Sequence, residues 1–132
     1  KYLNELKNAG FKSYRGPDDN EFELLVPRVP PVHLPIAKNG LLNIQGSMYF
    51  VSGRGLKRFL PAGTRYFKSR LGIDSAIKQQ KVFHLWFHPM DFVDDSQKLF
   101  YDFEKILKYA SVKRSQGRLQ ILNMNQIQTQ FS

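Results

Sequence analysis

The residues best suited to chemistry lie in one short apolar stretch, KVFHLWFHP, at positions 81–89. Successive side chains of a strand alternate between two faces, so His84, Trp86 and His88 would share one face. Two imidazoles and an indole carry polar atoms that need partners when they are buried. Pro89 has no N–H to donate and would end the strand directly after His88. The pattern therefore predicts His88 at the carboxyl end of a buried strand, where α/β folds place their reactive groups.

A second reactive side chain has an equivalent position. The spacing of Tyr2–Ala9 predicts the last turns of an amphipathic helix that Gly10 ends. The segment FKSY at 11–14 then predicts a short strand, and Arg15 follows it directly. Arg15 is thus placed like His88, one step past the carboxyl end of a strand.

The rest of the chain alternates between strand and helix patterns. A short helix ending at Gln79 would be capped by Asp74 or Ser75. The longest helix would carry an apolar stripe facing the core. The predicted strands are 41–44, 48–51, 81–88 and 118–122. The longest predicted helix is 96–115, and its stripe is Leu99, Phe103, Ile106, Leu107 and Ala110; a final helix is predicted over 124–130. This alternation favours a parallel sheet or barrel with helices outside.

The length fits one domain or part of one, spanning residues 1–132. A (β/α)₈ barrel usually needs ~250 residues, so the chain is expected to be the second half of one, truncated at its N-terminus. No apolar run approaches the ~20 residues of a membrane helix, and no signal peptide is recognisable. The chain has no cysteine, which excludes disulfides and thiolate metal sites.

The charge balance is basic, with 20 Lys and Arg against 11 Asp and Glu and a formal net charge of +9. The segment 52–70 holds six of these cations and no acidic residue: Arg54, Lys57, Arg58, Arg65, Lys68 and Arg70. Such a segment could bind an anionic polymer, or it could be the solvated face of a helix over a core stripe. We favour the solvated face, and nucleic acid is not the expected partner.

The ordered set FHLWFHPMDF, FEKILKYASVKRSQGRLQILNM, LKNAGFKSYRGPD and GLLNIQGSMYF resembles the C-terminal part of polysaccharide deacetylases, the NodB-homology superfamily. The likeness is greatest to members that act on envelope polysaccharides and exopolysaccharides. It implies an α/β fold, the C-terminal part of a distorted (β/α) barrel. It also implies metal-dependent hydrolysis of N-acetyl or similar acyl groups on a polysaccharide or amino sugar, at carbon–nitrogen bonds other than peptide bonds. The compartment stays open between bacterial cytoplasm and cell envelope.

The resemblance assigns roles to individual residues. His88 matches the general acid that protonates the leaving amine, and Arg15 matches an arginine that orients the catalytic groups. Asp18 stands where the family prefers a tyrosine beside the oxyanion. Three side chains are candidates for substrate contact, each with a structural alternative: Trp86 as a sugar platform or as barrel filling, and Gln45 and Ser47 as partners of sugar hydroxyls or as a polar turn.

The resemblance also implies a divalent metal, with zinc expected, held by an Asp and two His. Asp18-Asp19 and Asp94-Asp95 follow the wrong elements to serve as the family's metal-binding Asp-Asp pair. We therefore expect no complete metal site in this chain, its ligands lying elsewhere in a longer protein, and we expect the fragment alone to be inactive. Two alternatives remain: a non-catalytic module that binds an anionic polymer through 52–70, and a degenerate, inactive barrel.

Overall fold

The computed structural model describes residues 2–16, 23–50, 59–93 and 96–131. Within these ranges the chain is a mixed α/β protein with small open sheets, and no barrel closes. The mixed α/β class predicted from the sequence is confirmed. The elements are α1 (Tyr2–Asn8), β1 (Ser13–Tyr14), β2 (Ile36–Lys38), β3 (Leu41–Asn43), β4 (Met48–Tyr49), α2 (Thr64–Gln79), β5 (Leu85–Trp86), a 3₁₀ turn (Pro89–Phe92), α3 (Ser96–Ser115) and α4 (Met124–Phe131).

The first sheet has the strand order β1-β3-β2. Strands β2 and β3 form an antiparallel hairpin in which Lys38 pairs with Leu41, so Asn39 and Gly40 make the whole loop. Both loop residues have positive φ, 53° and 73°, as a type I′ turn requires, and Asn-Gly is the sequence that favours this turn. β1 lies parallel to β3, on the side of β3 opposite to β2.

The second sheet is the parallel pair β4 and β5, with Met48 opposite Leu85 and Tyr49 opposite Trp86. β5 is shorter than the predicted strand over 81–88, because among the described residues its ladder with β4 consists of these two residue pairs. The carbonyl of Trp86 still accepts a hydrogen bond from the Phe50 N–H, at 2.8 Å. The extended path beyond the ladder therefore continues toward His88.

Helix α2 corrects two predictions about the basic region. The helix begins at Thr64 and runs unbroken to Gln79, so no new helix is capped at Asp74 or Ser75. Arg65 and Lys68 are 1% and 7% exposed, so this part of segment 52–70 is not a solvated face. Three other basic residues of that segment lie outside the described residues: Arg54, Lys57 and Arg58.

Two interactions explain the burial of the Lys68 ammonium and the close approach of α2 to the strand beside it. Lys68 donates hydrogen bonds to the carbonyl of Val26, at 2.7 Å, and to the carbonyl of Arg28. The helix backbone at Gly72 lies so close to the ring of Phe83 that a Cβ there would stand 2.3 Å from the ring. Lys68 thus holds the proline-rich connection onto the helix, and Gly72 allows the helix to reach the strand leading into β5.

Helix α3 has the predicted bounds, and most of its predicted stripe faces the core. Leu99, Ile106 and Ala110 are buried against Phe50 and against residues of α2, whereas Leu107 is exposed. Asp102, which the periodicity placed outside the stripe, is fully buried and accepts the Gly63 N–H at 2.8 Å. The Asp102 carboxylate therefore holds the backbone directly before α2, an interaction that helical periodicity cannot predict.

The predicted strand over 118–122 is wrong. These residues carry no strand among the described part of the chain; Leu119 and Leu122 instead pack against two separate core clusters. Helix α4 follows as predicted. Asn123 caps it through a reciprocal pair of hydrogen bonds with Gln126, both 2.9 Å long, and Ile127 packs against β3.

Across the described ranges, no helix combines the length and the apolar composition needed to cross a bilayer.

Candidate active site

His88 lies at the point where the chain leaves the extended path of β5 and enters the 3₁₀ turn Pro89–Phe92. Pro89 occupies the first position of that turn, where its missing N–H costs nothing. The Asp91 N–H donates to the His88 carbonyl, at 2.9 Å, and His88 itself is exposed. The strand-end position predicted for this imidazole is thus what the local backbone produces.

The Asp91 side chain is hydrogen-bonded on both of its oxygens near His88. It is 8% exposed, and each of its carboxylate oxygens accepts one hydrogen bond. Oδ2 accepts the His88 backbone N–H at 2.7 Å, and Oδ1 accepts the Tyr49 hydroxyl at 2.6 Å. Because Tyr49 belongs to β4 and His88 follows β5, the Asp91 carboxylate joins the ends of both strands of the second sheet.

Two aromatic rings, of Tyr49 and Trp86, lie beside the exposed His88 imidazole. Tyr49 and Trp86 are cross-strand partners, and their rings stack at 4.3 Å between centroids with an interplanar angle of 22°. The His88 ring stands edge-on to both, 5.7 Å from Trp86 and 6.3 Å from Tyr49. The His88 ring therefore lies beside the edge of the Tyr49–Trp86 stack.

Arg15, which follows the end of β1 in the first sheet, lies against the ring of Trp86. Its Cζ lies 3.9 Å from the centroid of Trp86, which is the geometry of a cation–π contact. Tyr49 lies within 4.3 Å of the same centroid, and two groups so close cannot share one ring face. Arg15 and Tyr49 therefore cover opposite faces of Trp86, and a sugar could stack on this indole only if one of them moved.

The turn that presents Arg15 is held by a side chain of β3. The Gly16 N–H donates to Oδ1 of Asn43, at 3.0 Å. A Cβ on Gly16 would stand 2.6 Å from that oxygen, so only glycine fits without displacing the amide. Asn43 is opposite Tyr14 in the parallel pair β1–β3, which fixes the direction in which the chain leaves β1.

The other predicted site residues do not join this group directly. Ser47 is fully buried, and its hydroxyl accepts the His84 N–H at 3.0 Å while its own N–H donates to the His84 carbonyl at 2.8 Å. Gln45 is half-buried in the connection between β3 and β4. Asp18 lies outside the described residues. Their roles in binding substrate stay predictions.

Within the described ranges, no three His, Asp or Glu side chains converge as the ligands of a metal ion would. What the group offers is one exposed imidazole, one guanidinium and two aromatic rings. This set can donate or accept a proton and can bind an anionic or hydrogen-bonding group beside it, but it cannot by itself hold a divalent cation.

Sequence reasoning missed Asp91, Tyr49 and Asn43 as parts of the site. One local signal was present: in His88-Pro-x-Asp91 an acidic residue stands three positions after a residue that precedes a turn, the spacing of a capping box with proline in the first position. The pairing of Tyr49 with Asp91 has no local signal, because the two residues are 42 positions apart.

No family model, curated protein or solved structure matches this chain.

Proposed function

We propose that this chain carries part of the active site of a carbohydrate deacylase, a hydrolase that removes N-acetyl or similar acyl groups from a polysaccharide or amino sugar. One observation carries the proposal: the exposed imidazole of His88, past the end of β5, and the guanidinium of Arg15, past the end of β1, both contact the ring of Trp86. The motif resemblance of both segments to polysaccharide deacetylases supports the same function.

His88 would act on the leaving group. When water adds to the acyl carbon and the carbon–nitrogen bond breaks, the departing nitrogen must gain a proton. An imidazole suits this step because it exchanges protons near neutral pH. Protonated His88 would give its proton to that nitrogen, and the two protons of the attacking water would leave to a base outside the described residues and to solvent. The products are then a free amine on the sugar and a carboxylate.

Arg15 would orient the reacting groups. Its guanidinium presents several N–H donors in a fixed plane, and it is held against Trp86, the same ring that His88 contacts at its edge. From there it could bind a carbonyl or hydroxyl oxygen of the substrate while the imidazole faces the nitrogen. Trp86 would then serve mainly to hold Arg15 and His88 in place.

The divalent metal expected for this class, zinc by resemblance, does not fit the described residues, because they contain no cluster of ligands. Its ligands would be supplied by segments other than those described, and the two open sheets would form part of a distorted (β/α) barrel.

The decisive experiment measures acetate released from N-acetylated glycans by the full-length protein, with divalent metal supplied. A general acid typically contributes 10²- to 10⁴-fold, so His88→Ala should lower kcat by at least about 10²-fold. Met90→Ala is the matched control, because Met90 is 65% exposed in the same turn, and it should keep wild-type activity. Undiminished release by His88→Ala would exclude the role given to His88.

The alternative of an anionic-polymer module through 52–70 has less support, because Arg65 and Lys68 are buried and cannot reach such a polymer. Titration with an acidic glycan at rising salt separates the two functions, since binding through cations weakens as salt increases. A degenerate, inactive barrel would show neither salt-dependent binding nor acetate release.

A further inference from the structure

The carboxylate of Asp91 has a position that ordinary turn structure does not require. An aspartate at the third position of a turn needs only one oxygen to accept the N–H of the residue before the turn. Here that bond is made by Oδ2 to the His88 N–H, and Oδ1 makes a second bond, to the Tyr49 hydroxyl on the neighbouring strand.

Both bonds act on groups that surround one imidazole. The first fixes the backbone of His88 itself, together with the reciprocal bond from the Asp91 N–H to the His88 carbonyl. The second fixes the ring of Tyr49, which stacks on Trp86 and lies edge-on to His88. The direction of the His88 side chain and the position of the neighbouring Tyr49 ring therefore depend on the same carboxylate.

We propose that Asp91 is a positioning residue: its carboxylate sets the place and direction of the His88 imidazole by tying His88 to Tyr49 across the ends of β4 and β5. The catalytic consequence of this role rests on the function proposed above. The geometric part concerns His88 alone and can be tested without any substrate.

Three variants separate the two bonds. Asp91→Ala removes both, and Tyr49→Phe removes only the bond between strands. Asp91→Asn retains one oxygen for the His88 N–H, and its amide can donate to the Tyr49 hydroxyl, which can turn to accept. If geometry is what matters, Asp91→Asn should behave like the wild type, Asp91→Ala should show the full loss and Tyr49→Phe an intermediate one.

The first readout is the NMR spectrum of histidine ring protons in the full-length protein. His88 lies at the edge of Trp86, so the ring current of the indole should displace its signals from their values in a flexible peptide. Asp91→Ala should move them toward those values and remove the cross-peaks between the two rings. The signals of His33, which lies in a separate bridge with Val82, serve as the internal reference for an intact fold.

The second readout is kinetic. A misplaced imidazole lowers the rate of the chemical step rather than substrate binding, and a displacement of ~1 Å can cost about 10²-fold. Asp91→Ala should therefore lower kcat by about 10- to 100-fold with KM little changed, whereas Asp91→Asn should stay within about threefold of the wild type.

The outcomes are distinct. If the His88 signals of Asp91→Ala are unchanged against the His33 reference, Asp91 does not set the place of the imidazole and the proposal fails. If they move while kcat stays at the wild-type value, Asp91 places the imidazole but its catalytic consequence is refuted. If Asp91→Ala does not fold, the same criteria apply to Tyr49→Phe. Absence of acetate release by the wild-type protein removes the proposed function, and the NMR comparison then still decides whether Asp91 sets the place of the imidazole.

Discussion

Substituting Gly72 by alanine tests the packing that brings helix α2 to the strand leading into β5. The added Cβ would stand 2.3, 2.5 and 2.8 Å from three ring carbons of Phe83, whereas carbon atoms in contact prefer about 3.5–4.0 Å. The ring or the helix must therefore move by about 1 Å. Overpacking of this kind costs about 1–3 kcal/mol, and alanine regains about 1 kcal/mol of helix propensity. We expect the free energy of unfolding to fall by up to about 2 kcal/mol, the difference between these two effects.

Urea unfolding followed by circular dichroism measures this change, and an unchanged slope would show that the midpoint shift reports stability. Ser111→Ala on the exposed side of α3 is the control for propensity alone and should be neutral or slightly stabilising. In a double-mutant cycle, Phe83→Leu should relieve the clash and give a coupling of about 1 kcal/mol or more. Strict additivity, or a Gly72→Ala protein more stable than the wild type, would refute the close approach of helix and ring.

Three further predictions concern a cap, a titration and a ring contact. Asn123→Ala should lower the free energy of unfolding by about 1 kcal/mol through loss of the α4 cap, while Asn123→Asp should retain most of it; equal stability of all three proteins in urea would contradict the capping role. Burial lowers the pKa of Lys68 from its ordinary 10.5, so the unfolded chain binds this proton more tightly and stability should rise with pH between the lowered pKa and 10.5. Lys68→Met should lack this rise when both proteins are unfolded in urea over that pH range, and the same pH dependence in both would contradict the prediction. Arg15→Ala should shift the emission of Trp86, the single tryptophan of the chain, to longer wavelength by uncovering one ring face, while Lys12→Ala, at an exposed position nearby, leaves it unchanged; an unaltered spectrum for Arg15→Ala would exclude the contact.

Elements whose signals are local could be predicted from the sequence. Helix α3 ends where expected, because its apolar spacing and the glycine at 117 act within a few turns. Strand β3 and helix α4 follow from an apolar run and from a capping asparagine at 123. In each case the deciding interaction lies within a few residues of the element it defines.

Elements decided by distant partners could not be predicted. Arg65 and Lys68 belong by pattern to a charged surface, yet α2 buries both, and the carbonyls that Lys68 binds are about 40 positions away in the chain. The apolar run at 118–122 has the composition of a strand but makes no ladder in the described part of the chain. A strand needs a neighbour to pair with, and a sequence window does not contain that neighbour.

The candidate site divides in the same way. The positions of Arg15 and His88 at strand ends follow from a loop signal and from a proline, which are local. That both would contact the ring of Trp86 follows from how the two sheets approach each other. The bond from Tyr49 to Asp91 likewise depends on the register of β4 against β5, which no spacing in the sequence specifies.

The two-residue turn at Asn39 and Gly40 also has a consequence for the order of folding. It joins β2 to β3 directly, and hairpins of this kind form in about 1–10 μs. β1 pairs with β3 only across the long connection that separates them in sequence, and such non-local contacts form more slowly. Arg15 should therefore reach Trp86 late in refolding, after the hairpin exists. The hairpin of β2 and β3 would form first, and the contact between Arg15 and Trp86 only after β1 has joined β3.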